Sequence, residues 1–208
     1  MTDGASPFQI SDRWLDRPGP RSHVVVSSRV RYARNLPSVP FPMRARPEEL
    51  QEVAGRVEAA LSQVTQFDHG MRFDLGRIRS IERNYLKENH LISAEMDKGS
   101  RENRMMWLAE DLRVAVMVNE EDHVRLYALE TGFQPQATLT AAVGLEEKLG
   151  GLLPFAFSSK YGYLTACPTN TGTGLRASMM LHLPGLGITK KLPELFKSLP
   201  QYGLTVRG

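Results

Sequence analysis

Leu112-Arg113-Val114-Ala115-Val116-Met117-Val118 runs straight into Asn119-Glu120-Glu121-Asp122-His123 and on into Val124-Arg125-Leu126-Tyr127-Ala128-Leu129. The first segment is almost wholly apolar and reads as a central strand of a sheet. The last is rich in apolar and aromatic residues and reads as a second strand, with a polar hairpin tip between them. Arg104-Met105-Met106-Trp107-Leu108 reads as a third strand, joined to the first through a turn at Glu110-Asp111. Strands joined this closely pair antiparallel, because a parallel pair needs a long crossover. Hairpin-like spacing dominates and βαβ alternation is weak, which agrees with an antiparallel α+β arrangement. Three consecutive acids at the end of a buried strand are costly to place together. They form either an acidic tip in water or carboxylates aimed at a cation, a metal or a substrate guanidinium.

Upstream, Val24-Val25-Val26 starts another strand and leads into Ser27-Ser28-Arg29-Val30-Arg31-Tyr32-Ala33-Arg34-Asn35. Arg29 and Arg31 are two apart, so on an extended chain they share one face. Three arginines this close repel one another unless something anionic sits among them. Pro47-Glu48-Glu49 opens a helix, with proline in the first turn and acids at the positive end of the dipole. Leu50, Val53, Val57, Ala60, Leu61 and Val64 continue it at helical spacing. Leu75 to Leu86 reads as a weaker helix, ended by Glu88-Asn89-His90-Leu91-Ile92-Ser93. Residues 1–22 are polar and proline-punctuated, and read as an arm whose Trp14 and Leu15 dock a short helix.

Downstream, Gln136 to Leu149 is a helix rich in alanine and leucine. Phe155 to Phe157 and Tyr163 to Ala166 are expected to return to the sheet, and Ala177 to Leu183 to form a strand. Pro193-Glu194-Leu195-Phe196 lies in a helix, and Leu204-Thr205-Val206 begins another strand. Between Ala166 and Ala177 lies Cys167-Pro168-Thr169-Asn170-Thr171-Gly172-Thr173-Gly174-Leu175-Arg176, a tight polar loop holding the sole cysteine. Its glycines let backbone approach a ligand closely, and Arg176 offers a fork of donors suited to phosphate.

The 208 residues are 41% hydrophobic and 24% charged, enough for one domain with a sizeable core. Twenty-six basic residues against 23 acidic ones are too balanced to argue for nucleic acid. One cysteine excludes an internal disulfide and a multi-cysteine metal site, and fits a cytoplasmic location. No stretch approaches the roughly 18 apolar residues of a membrane span.

Arg29, Arg31, Arg125, Arg176 and Arg207, the acids Glu120-Glu121-Asp122 and the thiol of Cys167 form a mixture that suits phosphoryl transfer, where the protein positions and neutralises. Arginine forks can hold a triphosphate without a G-x-x-x-x-G-K-[ST] loop, and none occurs here. The carboxylates suit a cationic acceptor such as a guanidinium, which they can orient and deprotonate.

The segments SSRVRYARN (residues 27–35), NEEDHVRL (119–126) and CPTNTGTGLRA (167–177) resemble the ATP:guanido phosphotransferase family, which includes creatine and arginine kinases. Small-molecule members carry a helical domain before the first motif. Here that motif starts at Ser27, and the layout resembles the bacterial protein-arginine kinase branch, as do Glu88–Ser93 and Leu183-Pro184-Gly185-Leu186.

The resemblance implies an α+β fold, an antiparallel sheet flanked by helices, and an ATP site lined by Ser27, Ser28, Arg29, Val30, Arg31, His90, Arg125, Arg176, Ala177, Ser178, Met179, Met180 and Arg207. Glu121 would orient and deprotonate the acceptor, with Glu120 and Asp122 supporting it or the magnesium shell. Cys167 would face the guanidinium as a thiolate, supported by the Thr169 hydroxyl. No residue is assigned as a direct metal ligand. ATP and Mg2+ are the implied cofactors. The implied partners are arginine-bearing protein substrates of the heat-shock repressor type, a zinc-binding activator protein, the Clp protease that reads phosphoarginine, and a second copy in a homodimer. The expected organisation is an arm over residues 1–22 and a catalytic domain over 23–208, incomplete at its C-terminal end. In the family the motif at Arg207-Gly208 continues into a loop with a second acid, so this chain alone is expected to be weakly active at most. The alternatives are a non-catalytic nucleotide- or partner-binding pseudokinase fragment, and a small-guanidine (phosphagen) kinase.

Overall fold

The computed structural model describes residues 2–3, 7–10 and 18–206. Trp14, Leu15 and Arg207 lie outside them. The elements in chain order are β1 (Thr2–Asp3), β2 (Val25–Arg34), α1 (Pro47–Leu61), β3 (Met71–Asp74), α2 (Ser80–Glu88), β4 (Met105–Leu108), β5 (Val114–Val118), β6 (Val124–Thr131), α3 (Pro135–Gly150), β7 (Phe157–Ser158), β8 (Gly162–Tyr163), β9 (Leu175–Leu181), α4 (Pro184–Ile188) and α5 (Leu192–Ser198). Seven strands form one sheet in the order β1-β3-β4-β5-β6-β2-β9. Every pairing within it is antiparallel except the two-residue β1–β3 contact.

The apolar run that reads as a central strand is β5, buried along its whole length. Its alternate residues face two different cores, as the pleat requires. Val116 and Val118, with Val30 of β2 and Leu126 of β6, pack under Val53, Val57 and Leu61 of α1 and Leu145 and Leu149 of α3. Ala115 and Met117, with Tyr127 of β6, pack under Leu86 of α2 and Leu91, Ile92 and Met96 beyond it. The sheet is thus covered by two helices on one face and by α2 with its following segment on the other. The second cover lies over β3 to β6, and the outer strand β9 is largely exposed.

The described part of the arm lies against the molecule. Ile10 is buried in the second core, and its carbonyl accepts from the Tyr85 hydroxyl at 2.5 Å.

Three elements differ from the sequence expectation. Met71–Asp74 is a strand, and the helix expected from Leu75 starts at Ser80. The Asp74 carboxylate accepts from the Gly76 N–H at 3.0 Å, which turns the chain first, and Arg79 with Glu82 caps the helix. Phe157–Ser158 and Gly162–Tyr163 make a separate two-stranded ribbon instead of joining the sheet. Both edges of β2 are already taken, by β6 and β9, so no ladder is left for them there. Leu204–Val206 forms no strand. The segment is exposed and has no ladder partner among the described residues.

Candidate active site

β2 decides where the site lies. Arg31 stands opposite Tyr127 on one side and Arg176 on the other, and Arg125 stands opposite Ala33. Cross-strand partners point to the same face, so Arg29, Arg31, Arg125, Arg176 and Tyr127 share it. The guanidinium of Arg29 lies over the Tyr127 ring, 3.9 Å from its centre. Its Nη1 donates to the His90 carbonyl at 3.0 Å. The Nε groups of both Arg29 and Arg31 are buried without a hydrogen-bond partner among the described residues. Burial, and then the neighbouring Arg29, Arg125 and Arg176, push the Arg31 pKa down to about 10. Burial also lowers that of Arg29. Buried donors without acceptors in a field of like charge call for an anion.

A cavity of about 320 Å³ opens there, lined by Arg29, Arg31, Lys87, His90, Ser93 and Met117 among others. Its wall is the segment after α2. His90 takes a left-handed conformation, φ 57°, in the position after a helix end where glycine is usual. That turn directs Leu91 and Ile92 inward, and the Tyr127 hydroxyl donates to the Leu91 carbonyl at 2.9 Å. Asp97 clamps the wall from behind through Lys87 (2.6 Å), Arg83 (2.8 Å) and Arg101 (2.9 Å). Desolvation works against its charge, but these three cations hold its pKa down at about 2.

The acidic tip resolves into three different environments. The Glu120 carboxylate is fully buried and accepts from the Ser93 hydroxyl and from Arg125. Burial opposes the charge of Arg125, but Glu120 outweighs it and its pKa is raised. Asp122 is also buried, and one carboxylate oxygen accepts from Asn35 Nδ2 at 2.6 Å and from the Ala166 N–H at 2.7 Å. Glu121 is half-buried, and its carboxylate has no hydrogen bond or ion pair among the described residues. Burial first, and then the charge of Asp122, raise its pKa. His123 behind the tip is structural. Its Nδ1 accepts from the Leu36 N–H at 3.1 Å while Nε2 faces the Pro40 carbonyl at 2.9 Å, and burial lowers its pKa.

The bond from Ala166 to Asp122 brings the cysteine loop to this tip. Cys167 is half-buried, with Sγ 3.0 Å from the Thr169 hydroxyl. Arg34 secures the other end of the loop by donating to the Thr173 carbonyl at 2.9 Å. Gly174 is needed there. Its φ is 63°, and a Cβ would lie 2.6 Å from the Ala33 carbonyl oxygen.

Other candidates stand elsewhere. Val30 is in the helix-covered core. The Ser28 hydroxyl donates to the Gly132 carbonyl at 2.8 Å and accepts from the Gln134 N–H at 2.9 Å, holding the start of α3. Ala177 pairs with Val30 and Met179 with Ser28, so both face away from the arginines. Ser27, Ser178 and Met180 are on the arginine face. Ser93, Asn35, Tyr127 and Arg34 are contributors that sequence reasoning leaves out. Of these only Arg34 sits inside a visible charge pattern.

A larger groove, about 1340 Å³, lies at the opposite end of the strands. Its one lining cation, Arg113, is already matched by Glu130 at 2.7 Å, so the smaller cavity is the better anion site. Among the described residues, no group of three or more His, Cys, Asp or Glu is arranged to hold a metal, and no helix is long and apolar enough to cross a membrane.

Residues 52–208 match the family described as ATP:guanido phosphotransferase, C-terminal catalytic domain. The chain is 41% identical over 203 residues to the protein-arginine kinase of Symbiobacterium thermophilum, covering 96% of this chain and 57% of that protein. It is 42% identical over 196 residues to the protein-arginine kinase of Halothermothrix orenii, covering 94% and 55%. Among solved structures it resembles the duplicated taurocyamine kinase from Schistosoma mansoni with bound transition state analog components, with a TM-score of 0.76 and 25% identity over 92% of this chain and 30% of that one. Lombricine kinase gives a TM-score of 0.71 and 25% identity over 86% and 53%. The chain spans about half the length of the curated relatives it matches. Its three motifs, its antiparallel sheet and these matches agree, and the chain belongs to the ATP:guanido phosphotransferase family.

Proposed function

We propose that this protein is the catalytic portion of a protein-arginine kinase, which moves the γ-phosphoryl group of ATP to a guanidino nitrogen of an arginine side chain in a protein. One observation carries the reading. A face bearing four arginines, two of them with buried Nε groups that find no acceptor among the described residues, is joined through Arg125 and Glu120 to a tip whose next residue, Glu121, is a carboxylate with no hydrogen bond or ion pair among the described residues.

In this reading Arg29, Arg31, Arg125 and Arg176 hold the phosphates, with Ser27, His90, Ser178, Met180 and Arg207 around the nucleotide. Glu121 accepts the guanidinium bidentately. As the guanidino nitrogen bonds to the γ-phosphorus, the bond to the bridging oxygen breaks and ADP leaves. The proton released from the nitrogen goes to Glu121. A raised carboxyl pKa suits that proton acceptor. Cys167 and Thr169 flank the acceptor as a second anchor. Magnesium supplies charge neutralisation to the phosphates when bound. Glu120 and Asp122 are committed to protein partners, so phosphate oxygens would be its main ligands.

The catalytic unit would be residues 23–208 with residues 1–22 as an arm. The finer expectations belong to the same proposal: a substrate of the heat-shock repressor type, a zinc-binding activator, the Clp protease, a homodimer and a cytoplasmic location. Their support is the identity of about 40% to protein-arginine kinases over nearly the whole chain. The test is to express the protein at its natural length and incubate it with magnesium-ATP, an arginine-bearing protein and free L-arginine. Acid-labile phosphate should appear on arginine by mass spectrometry and vanish in Glu121→Gln. Phosphate only on free arginine, or on no guanidine at all, would refute the reading.

A further inference from the structure

The ribbon β7–β8 carries two large aromatic side chains that stay largely exposed. Phe157 is 62% exposed and Tyr161 is 56% exposed. The ribbon itself is firmly held. The Ala156 N–H donates to the Asn35 carbonyl at 2.7 Å, and the Leu164 N–H returns to the Ala156 carbonyl at 2.9 Å. Tyr163 exchanges backbone bonds with Gly172 of the cysteine loop, and its ring lies 3.6 Å from the Arg34 guanidinium carbon. The Phe157 ring meets Tyr163 edge-on at 5.3 Å. The turn is tight: Gly162 has φ 78°, and a Cβ there would stand 2.6 Å from the Gly172 carbonyl oxygen.

This rigid ribbon stands at the acceptor end of the site. Asn35 Nδ2 bonds both the Leu164 carbonyl at 3.0 Å and Asp122 at 2.6 Å. Two residues past Leu164, the Ala166 N–H bonds Asp122, the neighbour of Glu121, and Cys167 follows. An arginine delivered on a polypeptide brings backbone and neighbouring side chains, which must rest on whatever surrounds the mouth of the site. Rigid exposed aromatics give large contact area at little loss of side-chain freedom.

We propose that the β7–β8 ribbon is the docking shelf for the substrate polypeptide, with Phe157 and Tyr161 packing on apolar side chains next to the target arginine. The inference rests on the protein-arginine kinase reading and adds how a polypeptide acceptor is told from a free guanidine.

The experiment uses an unstructured peptide with one arginine flanked by leucines, the same peptide with glutamine in place of that arginine, and free L-arginine. Binding is measured by calorimetry for the wild type, Tyr161→Ala, Phe157→Ala and Glu121→Gln. Each aromatic variant should bind the arginine peptide about tenfold more weakly, the loss expected for a truncated aromatic anchor. Free L-arginine should bind them as it binds the wild type. Tyr161→Ala is the cleaner variant, because Phe157 also touches Tyr163. Unchanged peptide affinity in both variants overturns the shelf, and so does an equal loss for peptide and free arginine. Glu121→Gln reads the underlying assignment separately. If neither that change nor the glutamine peptide weakens binding, the acceptor reading fails and the shelf with it.

Discussion

Strand β2 carries two kinds of arginine, one on each face. Arg34, on the helix-covered face, is 2% exposed and matched at both Nε and Nη1. Its Nε meets Glu146 at 2.8 Å, its Nη1 meets the Ala33 and Thr173 carbonyls, and its plane stacks on Tyr163. Arg29 and Arg31, on the other face, are crowded by Arg125 and Arg176 and keep buried Nε groups without acceptors. The acids divide in the same way. Glu120 and Asp122 are matched, and Glu121 is not. A charge whose partners are all internal holds structure, whereas a charge desolvated and left without one is waiting for a ligand. Both kinds look alike as letters in the sequence.

Breaking the unmatched acid should have the largest effect. Glu121→Gln keeps size and removes the charge of the proposed proton acceptor, so phosphoryl transfer should fall by about two to four orders of magnitude with nucleotide affinity largely kept. Stopped-flow or end-point transfer assays alongside nucleotide titration separate the two. Full activity would end the role assigned to Glu121. The same group sets a pH limb. Its raised pKa means that it protonates at higher pH than an ordinary carboxylate, so kcat/KM should decline on the acid side from above the usual carboxylate range. In Glu121→Gln that limb should disappear.

Breaking the matched cation comes next and acts on stability. Arg34→Met leaves Glu146 and the Thr173 carbonyl without their donor, and removing one partner of a buried pair costs about 3–5 kcal/mol. Urea unfolding should show that loss. A loss under about 1 kcal/mol, the value for an exposed pair, would erase the contrast drawn here.

Arg31→Met should do the reverse. It removes a cation that its neighbours repel, so thermal stability should hold or rise while nucleotide binding weakens. The sign follows from linkage. Arg31 has a folded pKa of about 10, below the ordinary arginine value, so the unfolded chain binds the proton more tightly. The resulting penalty is fully present below about pH 10 and fades only as pH rises from there toward the ordinary arginine value. An added anion should relieve it at neutral pH. Tripolyphosphate at a hundred times its Kd should stabilise the wild type by about 2.7 kcal/mol. Arg31→Met should gain much less, and an equal gain in both would place the anion elsewhere.

Ser93→Ala is the smallest and sharpens the link between the two regions. Glu120 would lose one donor and hold Arg125 less firmly, so nucleotide affinity should drop a few-fold, about the worth of one hydrogen bond to a charged group. Ser93→Thr should restore it. Failure of threonine to restore affinity would assign the loss to packing.

Much of this molecule follows from local pattern alone. The unbroken apolar run Val114–Val118 is the central strand because only a strand covered on both faces can be apolar at every position. α1 follows from helical spacing and proline at its start, and α3 from its alanine- and leucine-rich composition. Period two puts Arg29 and Arg31 on one face. These readings need only the geometry of a single segment. Tertiary structure decided the rest, because it depends on residues far apart in the chain. Arg34 became structural when Glu146 and Thr173 arrived beside it, and Glu120 and Asp122 were claimed by Ser93, Arg125, Asn35 and Ala166. The ribbon at 157–163 left the sheet because β6 and β9 had already filled both edges of β2. Propensity is carried by neighbours in sequence, but desolvation and hydrogen-bond matching are set by neighbours in space, and only the second pair separates a supporting charge from a working one.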